Sequence, residues 1–350
     1  MTKKSDYTKI EELGEFGLIA LLTQEIQLQH EASEKGIGDD AAVLDFGVRK
    51  CLISTDLLVE GVHFDMAYMP LKHLGYKSIV VNLSDIAAMN AHPTQVTISL
   101  AISSKYSLEA VQEIYEGMKL ACKKYKVDIV GGDTTSSQSG LCISITVLGS
   151  AEKDQITYRS GAGVHDLICV TGDLGAAYAG LLVLEREKTV FLANPGAQPD
   201  LSGHDYVIGR QLKPEPRLDI VDLLKEMGIL PTSMIDISDG LASELLHICS
   251  ESRCGCAIYE EKIPIDEAAF SLLEEFNIVP HTAALNGGED YELLFTVKQT
   301  DFEKVKLIPG LSVIGHITDE SEGAAMITRT GSVIELKAQG WDALRKRDNI

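Results

Sequence analysis

The sequence predicts an α/β (α+β) protein built as two domains of similar construction, and three observations lead there. At 350 residues, 45% of them hydrophobic, the chain is long enough for two cores. Strand-like and helix-like stretches alternate in both halves, separated by a polar, Gly-rich passage at 151–165, which sets domains of 1–150 and 151–350. Clusters of Gly, Asp and small hydroxyl residues recur at the predicted strand ends: Gly38-Asp39-Asp40, Ser54-Thr55-Asp56, Asn82-Leu83-Ser84-Asp85, Gly131-Gly132-Asp133-Thr134-Thr135, Asp236-Ile237-Ser238-Asp239-Gly240 and Gly287-Gly288-Glu289-Asp290.

Residues 15–29 read as a helix and 50–55 as a short strand whose end delivers Asp56. Over 71–89, Leu74, Ser78, Val81, Asp85 and Ala88 share a helical stripe, which turns Asp85 inward. The alternative is that Ser84 or Asp85 caps a second short helix. Residues 94–102 alternate as a strand, and 107–125 form a helix with Leu108, Val111, Tyr115, Met118 and Cys122 on its apolar stripe. A short buried strand at 127–130 ends in Gly-Gly-Asp-Thr-Thr, and 141–148 is another strand.

The second set begins with strand 166–170, turn 171–173 and helix 174–186. A Pro- and Gly-rich loop at 194–206 precedes helix 216–227, strand 233–237 and helix 238–249. Strands recur at 256–259, 291–297 and 311–317 with helices between them.

A net charge of -21 and a pI of about 4.8 exclude a nucleic-acid surface and attraction to anionic membranes. Phosphate chemistry beside the Asp clusters then requires divalent cations to invert the local potential. The polar N-terminus and the absence of an apolar run of about 18 residues predict neither a secretory signal nor a membrane span, hence a cytoplasmic location. An odd seven cysteines without a regular framework suit a reducing compartment. His247, Cys249, Cys254 and Cys256 lack a C-x2-C pair and read as buried thiols near a helix end in preference to a zinc site. No G-x-G-x-x-G or P-loop occurs, and Gly172-x-x-Gly175 is a weak phosphate signal.

Asp40, Asp56, Asp85, Asp133, Asp236 and Asp239 are hard-oxygen ligands of the kind Mg2+ takes, and gathering them without cations costs several kcal/mol per pair at an effective dielectric of about 20. Asp39 either shares that role or fixes its turn through backbone N–H groups. Ser238 and Asp239 stand where a helix begins, offering free N–H groups to a phosphate or a plain N-cap. Arg159 is a bidentate phosphate clamp or a solvated boundary arginine. Tyr115 packs in the core or meets a purine or ribose. His63 is a proton donor, a phosphate ligand or a loop histidine, and Trp341 stacks on an aromatic ligand or anchors the surface.

The motifs GIGDDAA, STDLLVEGVHF, NLSDIAAM, GGDTT, TYRSGA, DISDGL and NGGEDYELLF, in this order from Gly14 to Asp342, resemble the thiamine-monophosphate kinase family. The resemblance implies an aminoimidazole ribonucleotide synthetase-like fold, with an N-terminal α/β domain that dimerises through its sheet, a C-terminal α/β domain, and ATP between them. It implies several Mg2+ ions on Asp40, Ser54, Thr55, Asp56, Asp85, Asp133, Asp236 and Asp239. ATP as co-substrate would touch Tyr115, Gly132, Asp133, Arg159 and Ser238. Thiamine monophosphate would meet His63, Glu289 and Trp341, where a carboxylate and an indole suit a cationic thiazolium and an aminopyrimidine.

The expected chemistry is direct in-line transfer of the ATP γ-phosphoryl group, with Arg159, Asp56 and Asp133 as the catalytic residues. A covalent aspartyl-phosphate is the competing route. A selenophosphate synthetase would want a reactive Cys in a Gly-rich N-terminal segment, yet the first cysteine is Cys51 in an apolar strand. A hydrogenase-maturation relative would end near a reactive cysteine, and this chain ends Arg-Asp-Asn-Ile. A non-catalytic nucleotide- or metal-binding regulator is the alternative from another class.

Overall fold

The computed structural model describes residues 33–35, 38–194, 196 and 198–340. The predicted helix 15–29 and Trp341 lie outside the described residues. Two sheets organise the chain. The first half runs β1 (Ser33–Lys35), β2 (Ala42–Asp45), β3 (Arg49–Val59), α1 (Leu71–Ala88), β4 (His92–Ser103), α2 (Leu108–Tyr125), β5 (Asp128–Ser137) and β6 (Cys142–Glu152). Among the described residues its six strands order as β1-β2-β3-β6-β4-β5, with only β4 and β5 parallel.

The second half runs β7 (Leu167–Thr171), α3 (Ala176–Ala193), α4 (Asp205–Leu212), α5 (Leu218–Glu226), β8 (Ser233–Asp236), α6 (Leu241–Ser252), β9 (Gly255–Tyr259), α7 (Glu267–Glu275), α8 (Pro280–Asn286), β10 (Leu293–Val297), α9 (Phe302–Val305), β11 (Leu311–Thr318), β12 (Ala324–Ile327) and β13 (Val333–Glu335). Its seven strands order as β13-β12-β9-β11-β7-β10-β8.

The centrepiece is α1, apolar on almost every side, and a helix of that kind is stable only when surrounded. Fourteen of its eighteen residues are buried. Its N-terminal half packs on α2 at backbone distance: a Cβ on Gly75 would come 1.8 Å from the Ile114 carbonyl oxygen, so no other residue fits there. Its last turn reaches the second half, where Ala87 and Ala88 pack with Leu218, Val221 and Phe295. Helix α2 starts on a Ser107 cap, whose side chain accepts from Ala110 N–H, and stops at Lys126 in the left-handed conformation.

Several expectations are corrected. The strand predicted at 50–55 extends to Val59, so Asp56 lies inside β3 and not at its end. Ser84 and Asp85 cap nothing, because α1 continues through both. The short buried strand at 127–130 is instead a ten-residue edge strand running through the Gly-Gly-Asp-Thr-Thr motif, exposed over nearly its whole length. Leu108 leaves the apolar stripe of α2 and is exposed, since it sits in the first turn beyond the reach of α1. Part of the predicted loop 194–206, with the residues after it, forms α4. Cys249, Cys254 and Cys256 are buried, unbridged thiols, as read.

Candidate active site

The site is built on the middle of α1. Strand alternation turns Ser54 and Asp56 of β3 toward that helix. There Ser54 Oγ donates to Asp85 Oδ2 at 2.6 Å, and the Asp56 N–H donates to Asn82 Oδ1 at 3.1 Å. From another side of α1, Ser84 Oγ donates to Asp236 Oδ2 at 2.5 Å, at the end of β8. Carboxylate oxygens of Asp40, Asp85 and Asp236 thereby come within 4.8 Å of one another. Arg159 closes the group, its Nε and Nη2 each 2.9 Å from one oxygen of Asp40.

Charge is expensive here. At about 5 Å and an effective dielectric of about 20, two carboxylates repel by about 3 kcal/mol. Burial, then Asp56 and Asp236, push the Asp85 carboxyl well above the usual range. Burial, then Asp40, raise Asp236 to about 7, and burial raises Asp56 to about 6. Burial opposes the Arg159 charge, but Asp40 outweighs it and holds the guanidinium protonated. Carboxylates and hydroxyls without thiolate or imidazole form the oxygen-only donor set that Mg2+ takes, so these residues fit that ion.

The remaining predicted residues divide. Thr55, one step from Ser54 and Asp56, faces the opposite side of the sheet and donates to the Ile145 carbonyl, with its hydroxyl 3.1 Å from that of Thr146. Asp133 pairs with Ser99 on that same outer face. Registers Asp56 to Ile145, Ile145 to Ile98 and Ile98 to Gly132 put Gly132 level with Asp56 but three strands away, about 14 Å. The expected metal set is therefore split between two faces of one sheet. Gly132 has a packing reason of its own: a Cβ there would lie 1.8 Å from the Ile98 carbonyl oxygen.

Tyr115 packs partly against the core beneath α2 and lines a surface depression with Gln112, Glu116 and Lys119, a lining that holds none of Asp40, Asp56, Asp85 and Asp236. At the start of α6, Ser238 and Asp239 do not offer their N–H groups to an anion, because both donate to Glu244 Oε1, at 3.2 and 2.8 Å. The weak Gly172-x-x-Gly175 signal has the same fate: the Gly175 and Ala177 N–H groups donate to Asp290. His63 Nδ1 accepts the Val59 N–H, which leaves Nε2 as the donor of the neutral ring. Glu289 already has a cation, Lys77 Nζ at 2.9 Å, and accepts from Gln211 Nε2 at 2.6 Å. Asp39 fastens the Arg159 backbone, accepting its N–H at 3.2 Å.

Sequence reasoning missed Asn82, Ser84, Lys77, Glu244 and Tyr291. The first two stand inside NLSD, beside the aspartate that drew attention, and Lys77 lies on α1 two turns before it. Tyr291 holds a left-handed φ of 51°, rare for an aromatic residue, and its ionisation is opposed by burial and then by Glu289, Asp56, Asp236 and Asp239. A cleft of ≈ 700 Å³ is lined by Lys124, Arg210, Lys213, Arg217, Asp290 and Glu292 among others, and these cations are already paired with carboxylates.

Fold and site together define an AIR synthase related protein: residues 38–151 match the N-terminal domain of that family and 163–328 its C-terminal domain. The thiamine-monophosphate kinase of Bacillus subtilis is 34% identical over 94% of this chain and 99% of its own length. That of Buchnera aphidicola subsp. Schizaphis graminum is 37% identical over 93% and 98%. Among solved structures, AaThiL complexed with AMPPCP and TMP superposes with a TM-score of 0.80 at 31% identity, covering 97% of this chain and 99% of that one. The chain belongs to the thiamine-monophosphate kinase family.

Proposed function

We propose that this chain transfers the γ-phosphoryl group of ATP directly to thiamine monophosphate, giving thiamine diphosphate. The observation that carries the reading is full-length similarity to thiamine-monophosphate kinases joined to the Asp40, Asp85 and Asp236 cluster. Asp40, Ser54, Asp56, Asp85, Asp236 and Asp239 would hold Mg2+ on the inner face of the sheet, with Thr55 and Asp133 on the outer one. Bound among the inner-face carboxylates, Mg2+ would supply charge neutralisation between donor and acceptor phosphates.

The acceptor oxygen is already ionised near neutral pH, so the chain's own work is alignment. Arg159 Nη1 lies outside its fork on Asp40 and is the arm with which the guanidinium reaches a phosphate. Ser238 meets ATP through its hydroxyl, Tyr115 and Gly132 bind it from the first half, and Asp56 and Asp133 complete the catalytic set. His63, Glu289 and Trp341 bind thiamine monophosphate. Supporting the last, Gly340 packs so closely on Asp239 that a Cβ there would come 2.3 Å from the Asp239 carbonyl oxygen. Because Lys77 neutralises Glu289, its part is hydrogen bonding more than raw charge.

The division at 1–150 and 151–350, a homodimer formed through the exposed face and edge of the N-terminal sheet, and a cytoplasmic location belong to the same proposal. Among the described residues no helix is long and apolar enough to cross a membrane. ADP release with thiamine monophosphate against thiamine, with and without Mg2+, tests the reading: acceleration by the monophosphate alone, and only with the cation, is expected. No acceleration would remove it. Rapid quench with γ-labelled ATP and no acceptor separates the routes, since a labelled, hydroxylamine-sensitive protein would replace direct transfer.

A further inference from the structure

We propose that Glu244 is a positioning residue for the turn that presents Ser238 and Asp239, acting as a hydrogen-bond acceptor and not as a charge. Glu244 lies in the first turn of α6 and is 2% exposed. Its side chain reaches back past the helix start, where Oε1 alone accepts from Asp239 N–H at 2.8 Å, Ser238 N–H at 3.2 Å and the Ser238 hydroxyl at 3.4 Å. Oε2 is buried and, among the described residues, has no hydrogen-bond partner.

A further carboxylate beside Asp239 is electrostatically costly, so its place needs a geometric reason. The opposite side of the turn supplies one. The Ser238 carbonyl accepts Glu289 N–H at 2.6 Å and the Ile237 carbonyl accepts Tyr291 N–H at 2.9 Å. The main chain at 237–239 is thus held by carbonyls on one side and by N–H groups on the other. With its N–H groups and, at the longer 3.4 Å, the Ser238 hydroxyl proton directed at Glu244, the turn presents the Ser238 oxygen lone pairs and the Asp239 carboxylate and withholds its backbone donors. Asp290 does comparable work at the start of α3, but there both oxygens are used: Oδ2 accepts Gly175 N–H and Oδ1 accepts Ala177 N–H. An amide can therefore replace Glu244 and keep every contact, whereas at Asp290 it forfeits one.

The inference rests on the proposed placement of nucleotide and metal at this turn. With the full chain, the KM values for ATP and thiamine monophosphate and the calorimetric Kd for Mg·ADP are measured for Glu244→Gln, Glu244→Ala, Glu244→Asp and Asp239→Asn. Glu244→Gln should stay within about threefold of the unaltered protein, while Glu244→Ala raises the ATP KM and the Mg·ADP Kd about tenfold or more and leaves the acceptor KM within about twofold. If Glu244→Ala does not fold, Glu244→Asp, too short to reach the turn, should show the same split. A Gln variant as impaired as Ala, or a loss of melting temperature with both KM values unchanged, would overturn the proposal. An unchanged ATP KM in Asp239→Asn would instead remove the placement beneath it, and the inference with it.

Discussion

The two faces of the N-terminal sheet carry the same residue types to opposite fates. On the inner face, Ser54 and Asp56 meet α1 and join carboxylates from three other segments, where lost hydration pushes Asp56 and Asp236 toward neutrality. On the outer face, Thr55 and Asp133 stand in water, beside Leu57 at 53% exposed and the edge residue Val130 at 58%. Residues adjacent in Ser-Thr-Asp are thus separated by the thickness of the sheet. Adjacency in a motif is not adjacency in a site, and a ligand site on the outer group would need a second surface to enclose it. A sheet-mediated dimer would supply one.

The contrast can be broken from either face. The largest effect is expected for Asp56→Asn, which should lower turnover by about a thousandfold or more while circular dichroism stays unchanged, since a group already driven toward its neutral form tolerates an amide. Activity above a tenth of the original would take Asp56 out of the inner set. At the sheet's edge, Val130→Lys should convert a dimer to monomers by sedimentation velocity, because a charge on an exposed apolar edge strand blocks pairing. A chain that already sediments as a monomer would refute the enclosure argument. Asp133→Asn should follow with a loss of about ten- to a hundredfold in turnover and no gain in stability.

The smallest effect concerns pH and works only on the inner face. Asp56 and Asp236 bind protons more tightly folded than unfolded, so their contribution to stability is complete below about pH 4 and is lost as the pH rises through about 6 to 7. Melting temperature in the absence of divalent cations should therefore fall across that window. Asp236→Asn should flatten the fall. An equal slope in the altered and unaltered proteins would contradict the electrostatic cost assigned to the inner face.

Much of this was legible in the residues. Helices 71–89 and 107–125 declare themselves by period, and the inward turn of Asp85 follows from its stripe. What escaped depends on tertiary partners. The Gly-Gly-Asp-Thr-Thr segment looked like the end of a buried strand because Ile129 and Val130 are apolar, yet edge position leaves them exposed. Ser84 and Glu244 escaped because their meaning lies in the backbone and carboxylates they meet, at Asp236 and at the 238–239 turn. The split of Thr55 from Asp56 was available from strand alternation alone, had the strand been extended past Thr55.

Asp40, Asp85 and Asp236 are proposed as one divalent-cation site. Counting Mn2+ bound per nucleotide-free chain by electron paramagnetic resonance tests it most directly. Asp236→Asn should lose at least one ion that Asp133→Asn retains. Unaltered Mn2+ binding in Asp236→Asn would contradict the account.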